Sequence, residues 1–141
     1  MSGFLLDTNA ISELINPGPS PNVIKWIEAT DESLLYLSVL TIGEIRRGVS
    51  RLAMGRKRAL LEAWLDNDVM LRFSGRILPI DLTIAVRWGR ISADASTNGT
   101  PIPVIDGLLA GTAIHHSLTL VSRDEGFMSI AGVEVFNPWR S

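Results

Sequence analysis

Four acids, Asp7, Glu44, Asp106 and Asp124, stand far apart along the chain, yet each falls near the end of an expected strand or the start of an expected helix. Two unit charges about 4 Å apart repel by roughly 4 kcal/mol at an effective dielectric near 20. Carboxylates brought together must therefore take up protons or bind a cation. With oxygen donors and no soft ligand, the matching cation is a hard one, Mg²⁺ or Mn²⁺. Such a site, open to solvent, suits metal-assisted attack of water on a phosphodiester. The hydroxyls of Thr8 and Ser122 stand beside these acids, able to hydrogen-bond a ligand carboxylate or a bound water. Asn9 is placed to hold the Asp7 carboxylate or to contact a phosphate.

Each acid also has an ordinary structural use. Asp7-Thr8-Asn9 is good turn or helix-cap chemistry. Thr41-Ile42-Gly43-Glu44 spells a capping box, which places Glu44 in the first turn of a helix that Thr41 caps. Asp106 near a helix start complements the macrodipole. Asp124, in Ser122-Arg123-Asp124-Glu125-Gly126, suits a turn or an N-cap. No single acid decides the matter; their shared expected edge carries the argument.

Composition narrows the chemistry further. The 141 residues make one domain, 1–141, of globular composition, with 46% hydrophobic and 20% charged residues. Thirteen basic against fifteen acidic residues leave a net charge of −2, so the chain is not a polycation wrapped around nucleic acid. With no cysteine, a disulfide scaffold, a thiolate metal site and a Cys nucleophile are excluded. The two histidines, His115 and His116, adjoin at an expected helix end, where cations are favourable. No G-x-x-x-x-G-K, G-x-G-x-x-G, G-x-S-x-G or H-E-x-x-H occurs. An aspartyl-phosphate hydrolase is disfavoured because position 9, where its second acid would stand, is Asn. No targeting segment or membrane span is apparent, so a cytoplasmic location is expected.

The elements that must position the acids alternate. Strands are expected at Phe4–Leu6, Leu34–Ser38, Arg76–Ile80, Leu118–Ser122 and Val133–Phe136, with Pro79 marking the third as an edge. Between them lie helices: a short one at Ala10–Ile15, one starting at Ser20-Pro21, one after Thr41, and one over Lys57–Leu71 with Leu60, Leu61, Trp64 and Leu65 inward. A further helix is capped by Asp81, another covers Val104–His115, and a short one covers Glu125–Ile130. Trp26, Trp64 and Trp88 occupy apolar helical positions and read as core. The alternation predicts an α/β fold, a mainly parallel central sheet flanked by helices in an α/β/α sandwich. In such sheets ligands bind outside the carboxyl ends of the strands, where strand order reverses.

From Arg46 to Arg58 the chain holds six cations (Arg46, Arg47, Arg51, Arg56, Lys57, Arg58) and no acid. Such a run is commonly a solvated face. Because it begins directly after Glu44, Arg46, Arg47 and Arg51 are also candidates to lead an RNA backbone toward the acids.

Leu5-Leu6-Asp7-Thr8-Asn9 with Ile11-Ser12-Glu13, then Thr41–Glu44, then Asp106-Gly107-Leu108-Leu109-Ala110-Gly111-Thr112-Ala113, then Ser122–Phe127, resemble in order and spacing the PIN-domain ribonucleases. More narrowly, the chain is similar to the VapC-type toxins of toxin–antitoxin modules, close to the FitB branch, which Gly75–Pro79 and the Asn137-Pro138-Trp139 ending also fit. The resemblance implies a Mg²⁺- or Mn²⁺-dependent endoribonuclease with Asp7, Glu44, Asp106 and Asp124 as the acidic metal-site residues. Thr8, Asn9 and Ser122 would be their polar neighbours. It also implies a homodimer, and a small, often DNA-binding antitoxin that plugs the acidic pocket, so that DNA is met only through the antitoxin. Gly107 and Gly111 depart from the alanines usual after the third acid, and Glu125 adds a fifth acid nearby. Two other readings stay open on the residues alone: a non-catalytic PIN-like module binding RNA or a partner, and a metal-dependent phosphatase.

Overall fold

The computed structural model describes residues 3–140. Five short strands, β1 (Phe4–Leu6), β2 (Leu35–Ser38), β3 (Ile77–Leu78), β4 (Thr119–Val121) and β5 (Val135–Phe136), form one sheet in the order β3-β2-β1-β4-β5. Every neighbouring pair is parallel. β3 is an edge strand, as Pro79 suggested, but it ends at Leu78, so Pro79 lies just beyond it rather than within it.

Side chains alternate across a strand, and this alternation sorts the core into two layers. Leu6, Leu35, Leu37 and Val121 face one side, Leu5 and Leu120 the other. The first side packs against α1 (Thr8–Ser12), α2 (Pro21–Ala29) and α3 (Val39–Ser50). Beyond them run α4 (Arg56–Ala63), a wider π turn over Trp64–Val69, and α5 (Met70–Arg72), which bring Leu65, Val69 and Phe73 into the same layer. The second side packs against α6 (Leu82–Thr97) and α7 (Val104–His115), with Leu109, Ala110, Ala113 and Phe127 at its centre. The predicted α/β/α sandwich is therefore the observed fold. No helix of the described residues is long and apolar enough to cross a membrane.

Three local expectations are corrected. Ser38, not Thr41, caps α3: its hydroxyl accepts from the Leu40 N–H at 3.0 Å, and Thr41 is buried inside the helix. Strand β2 runs directly into the helix, so no loop separates Ser38 from Val39 and the capping-box reading of Glu44 fails. Leu60 faces solvent at 63% exposure, because Leu61, Trp64 and Leu65 already fill the inward stripe. The short element after Asp124 is a 3₁₀ helix, Glu125–Ser129.

Helices α6 and α7 meet through small residues. A Cβ on Gly107 would lie 2.8 Å from Cδ1 of Trp88 and 3.1 Å from Cδ1 of Ile102, whereas one on Gly111 would meet nothing nearer than 3.6 Å. The two glycines therefore do different things. Gly107→Ala forces the indole outward and should destabilise the fold by about 1–3 kcal/mol. Gly111→Ala should stabilise it by roughly 0.5–1 kcal/mol through helix propensity alone. Urea midpoints at unchanged m-value measure both.

Candidate active site

Strand order reverses at β1: the chain proceeds outward through β2 and β3 on one side and through β4 and β5 on the other. The crevice at such a reversal lies at the carboxyl ends of β1 and its neighbours. Asp7 stands there, its backbone N–H still donating to the Val121 carbonyl at 3.0 Å, one residue beyond the strand. Its side chain caps α1 by accepting from the Thr8 N–H at 2.6 Å. The cap reading of Asp7 is thus correct, and its buried carboxylate lies at the carboxyl end of β1.

The neighbouring hydroxyls tie the other elements to this carboxylate. Ser122, at the end of β4, donates from Oγ to Asp7 Oδ2 at 2.7 Å, and the same oxygen accepts from the Asp124 N–H at 3.0 Å. Thr8 Oγ1 donates to Glu44 Oε1 at 2.6 Å. Glu44 comes from the second turn of α3, not the first, since that helix starts at Val39. Asp106 projects from the first turn of α7, as expected. Asp124 caps the 3₁₀ helix through Gly126 N–H at 2.9 Å. Ser122 and Thr8 thus hydrogen-bond acidic side chains, as the sequence suggested, and the alternative of Asn9 holding Asp7 is not taken up. Asn9 is exposed on α1 and makes no hydrogen bond to Asp7.

Electrostatics link the four acids. Burial pushes the Asp106 carboxyl up to about 6, and the charges of Asp124, Asp7 and Glu44 add to that rise. Asp7 is also raised, by burial foremost and then by Glu44 and Asp124, against the opposing hydrogen bonds from Ser122 and Thr8. None of the four is in an ion pair among the described residues. Nor do any three among the described residues form a ready-made chelate. They lie within electrostatic reach of one another but short of a closed cage. Oxygen-only donors of this kind would suit a hard divalent cation rather than a soft one.

The basic run divides. Arg46 turns away and pairs with Asp66 of the π turn. Arg47 and Arg51 line a cleft with Glu44 and Ile105. Lys57 lines a further groove with Thr8, Ser12 and Glu44. The charge run signalled Lys57, but only the reversal between α3 and α4 carries it back toward the acids. Glu13 is buried for a structural purpose: it accepts from the Ser20 N–H at 2.6 Å and closes the loop before α2.

A carboxyl whose pKa is raised by folding keeps its proton in the native state after the unfolded chain has lost it. Stability therefore falls as pH rises from about 4, the unfolded value, to about 6 for Asp106, and stays lower above that. Asp106→Asn should raise the melting temperature relative to wild type at pH 7.5 and much less at pH 4. Thermal melts in chelator-containing buffer at the two pH values measure the difference.

The PIN domain family signature matches residues 4–133. Toxin FitB of Neisseria gonorrhoeae is 42% identical over 136 residues, covering 96% of this chain and 98% of that protein. VapC ribonuclease Y4jK of Sinorhizobium fredii is 36% identical, covering 96% and 97%. The crystal structure of FitAcB from Neisseria gonorrhoeae superposes with a TM-score of 0.92 at 41% identity, over 98% of this chain and 99% of that one. A structure of FitAB bound to an IR36 DNA fragment superposes with a TM-score of 0.91 at 40% identity, over 96% and 95%. Fold and sequence agree along almost the whole length, and the chain belongs to the PIN domain family, in the branch of the FitB- and VapC-type toxins.

Proposed function

We propose that this protein is a Mg²⁺- or Mn²⁺-dependent endoribonuclease, the toxin of a toxin–antitoxin pair. The observation that carries the reading is the coupling of Asp106 to Asp7, Glu44 and Asp124, acids from four separate elements. Relatives named ribonuclease or tRNA-specific endonuclease along most of this length support the substrate class. Asp7, Asp106 and Asp124 would hold one or two ions, with Glu44 as a further ligand or as the group that orients the attacking water. A divalent ion so held lowers the pKa of water and neutralises charge developing on the phosphate. Ser122 and Thr8 keep the Asp7 and Glu44 carboxylates in one orientation, the role of outer hydrogen-bond partners at a metal site. Arg47 and Arg51, which line a cleft with Glu44, would meet the phosphates of a bound strand on this reading.

The FitAB–DNA assembly supports a matching arrangement here. The chain would pair as a homodimer with a small DNA-binding antitoxin and meet DNA only through it.

Purified protein incubated with RNA should cleave it in Mg²⁺ or Mn²⁺ and not in EDTA. Asp7→Asn should abolish cleavage, and retention of full activity by that variant would overturn the assignment. Ser122→Ala, which keeps all four acids, should lower cleavage about 10–100-fold. RNA binding without cleavage under every metal condition would instead favour a non-catalytic binding module. Arg47→Ala and Arg51→Ala should each flatten the salt dependence of RNA binding, by about 0.7 in the log–log slope.

A further inference from the structure

The loop after β4 carries a cation that the acidic site leaves unused. Arg123 stands between Ser122 and Asp124, so both its chain neighbours belong to that site. It is exposed, and among the described residues its guanidinium enters no ion pair and donates no hydrogen bond. It lies instead over the Trp139 ring, 5.2 Å from the centroid. Exposed ion pairs and exposed cation–π contacts are similar in strength, but they leave an arginine in different states. A carboxylate cancels its charge and occupies its donors. An aromatic face covers one side of the plane and leaves both the charge and the N–H fork available. Arg140 is in the first state, paired with Glu125, and that pair engages the fifth acid of the region away from Arg123. Arg123 is in the second state.

The ring beneath Arg123 is itself fixed. Trp139 sits in the 3₁₀ turn Pro138–Arg140, just beyond β5, and packs against the first core layer. Its N–H donates to Asn137 Oδ1 at 3.0 Å, and its carbonyl accepts from Asn22 Nδ2 of α2 at 3.3 Å. Strand order puts Arg123 and Trp139 at the same carboxyl edge as the acids, on the β4–β5 side. Arg47 and Arg51 come from α3, on the β2 side. Arginines without a carboxylate partner among the described residues therefore stand on both flanks of Asp7. Resting on the nuclease reading above, we propose that Arg123, held on the Trp139 indole, binds a backbone phosphate of the RNA strand beside the one that is cut. The planar fork matches two phosphate oxygens. A strand crossing this edge passes four acids, so its charge needs compensation on the far flank as well as the near one. The indole orders the arginine before the strand arrives, and less side-chain freedom is lost on binding.

Binding is read apart from cleavage by fluorescence anisotropy of a labelled single-stranded RNA in EDTA, with the salt concentration varied. Arg123→Ala should weaken binding several-fold at low salt and flatten the log–log salt slope by about 0.7, the share of one phosphate contact on a single strand. Arg72→Ala removes the same charge at the opposite edge of the sheet, where Glu32–Leu34 leads into β2, and should change neither quantity. Equal losses in the two variants would identify a general effect of net charge and overturn the proposal. Trp139→Leu leaves the charge intact and should also weaken binding, but not further once position 123 is alanine. Additive losses would overturn the role of the indole. Trp139→Met, flexible and without a ring, is read in the same cycle if the leucine variant does not fold. In Mg²⁺, cleavage by Arg123→Ala should fall in step with affinity at limiting RNA and recover at saturating RNA. Affinity and slope equal to wild type in Arg123→Ala, in a protein that cuts RNA, would overturn this proposal and leave the nuclease reading standing. Arg123-dependent binding by a protein that cuts nothing would support the phosphate contact and count against the nuclease reading alone.

Discussion

Carboxylates from four elements within electrostatic reach of one another oppose folding, and the rest of the molecule is arranged to hold them there. Asp7 cannot retreat, because its backbone continues the central β1–β4 pairing and its side chain is held by the Thr8 N–H and the Ser122 hydroxyl. Asp124 is fixed by its own N–H on Ser122 and by its cap on Gly126. Relief comes through protonation, and the upward shifts at Asp106 and Asp7 register it. Among the described residues no arginine or lysine salt bridge relieves it. A chain selected for stability alone would place a cation among these acids or replace one of them, since strain of this kind characterises functional sites.

Helix α7 supplies the remaining acid, and its position depends on close approach to α6. Gly107 gives the Trp88 indole room beside the residue that follows Asp106. Ala110 and Ala113 keep the buried side of α7 small next to β4 and Phe127. Glycine within a helix weakens it by roughly 1 kcal/mol relative to alanine, so a glycine at position 107 exchanges helix propensity for packing. Gly111, with ordinary contact distances around it, has no such compensation. The two departures from the family's alanines therefore differ in kind: one is required by a neighbouring ring and the other is not.

Strand and helix order were legible because they rest on local signals. Three apolar residues ended by Asp7, a proline after the edge strand and an Asp81 cap on Ile84 N–H are each readable within a few positions. The start of α3 was not, because two residues compete for the cap: Ser38 follows the strand without a break, and Thr41 offers a better-looking motif three residues later. Tertiary packing decides between them by burying Thr41. The acids were legible as a set through their places just after strands, for Asp7 and Asp124, and near helix starts, for Glu44 and Asp106. The partner of each hydroxyl was not, since Ser122 and Asp7 are 115 positions apart and Asn9 is the nearer amide. Likewise Arg46 belongs to the same cationic run as Arg47, and only the π turn's Asp66 separates their fates.

A net charge of −2 does not suggest affinity for a polyanion, yet where charges lie matters more than their sum. Arg47 and Arg51 stand on one side of the Glu44 carboxylate, while the Thr100–Pro103 loop on the far side of Asp106 brings no cation. A strand entering along the arginines has its charge compensated until it reaches the acids, where an added phosphate is repelled unless a divalent cation stands between. On the nuclease reading proposed above, that local reversal of sign would tie backbone binding to the metal: the arginines would attract the strand, and bringing its phosphate against the carboxylates would require the ion. On the same reading, attraction and catalysis would be separable in this fold, the first borne by arginines, those of α3 among them, and the second by residues contributed from four elements.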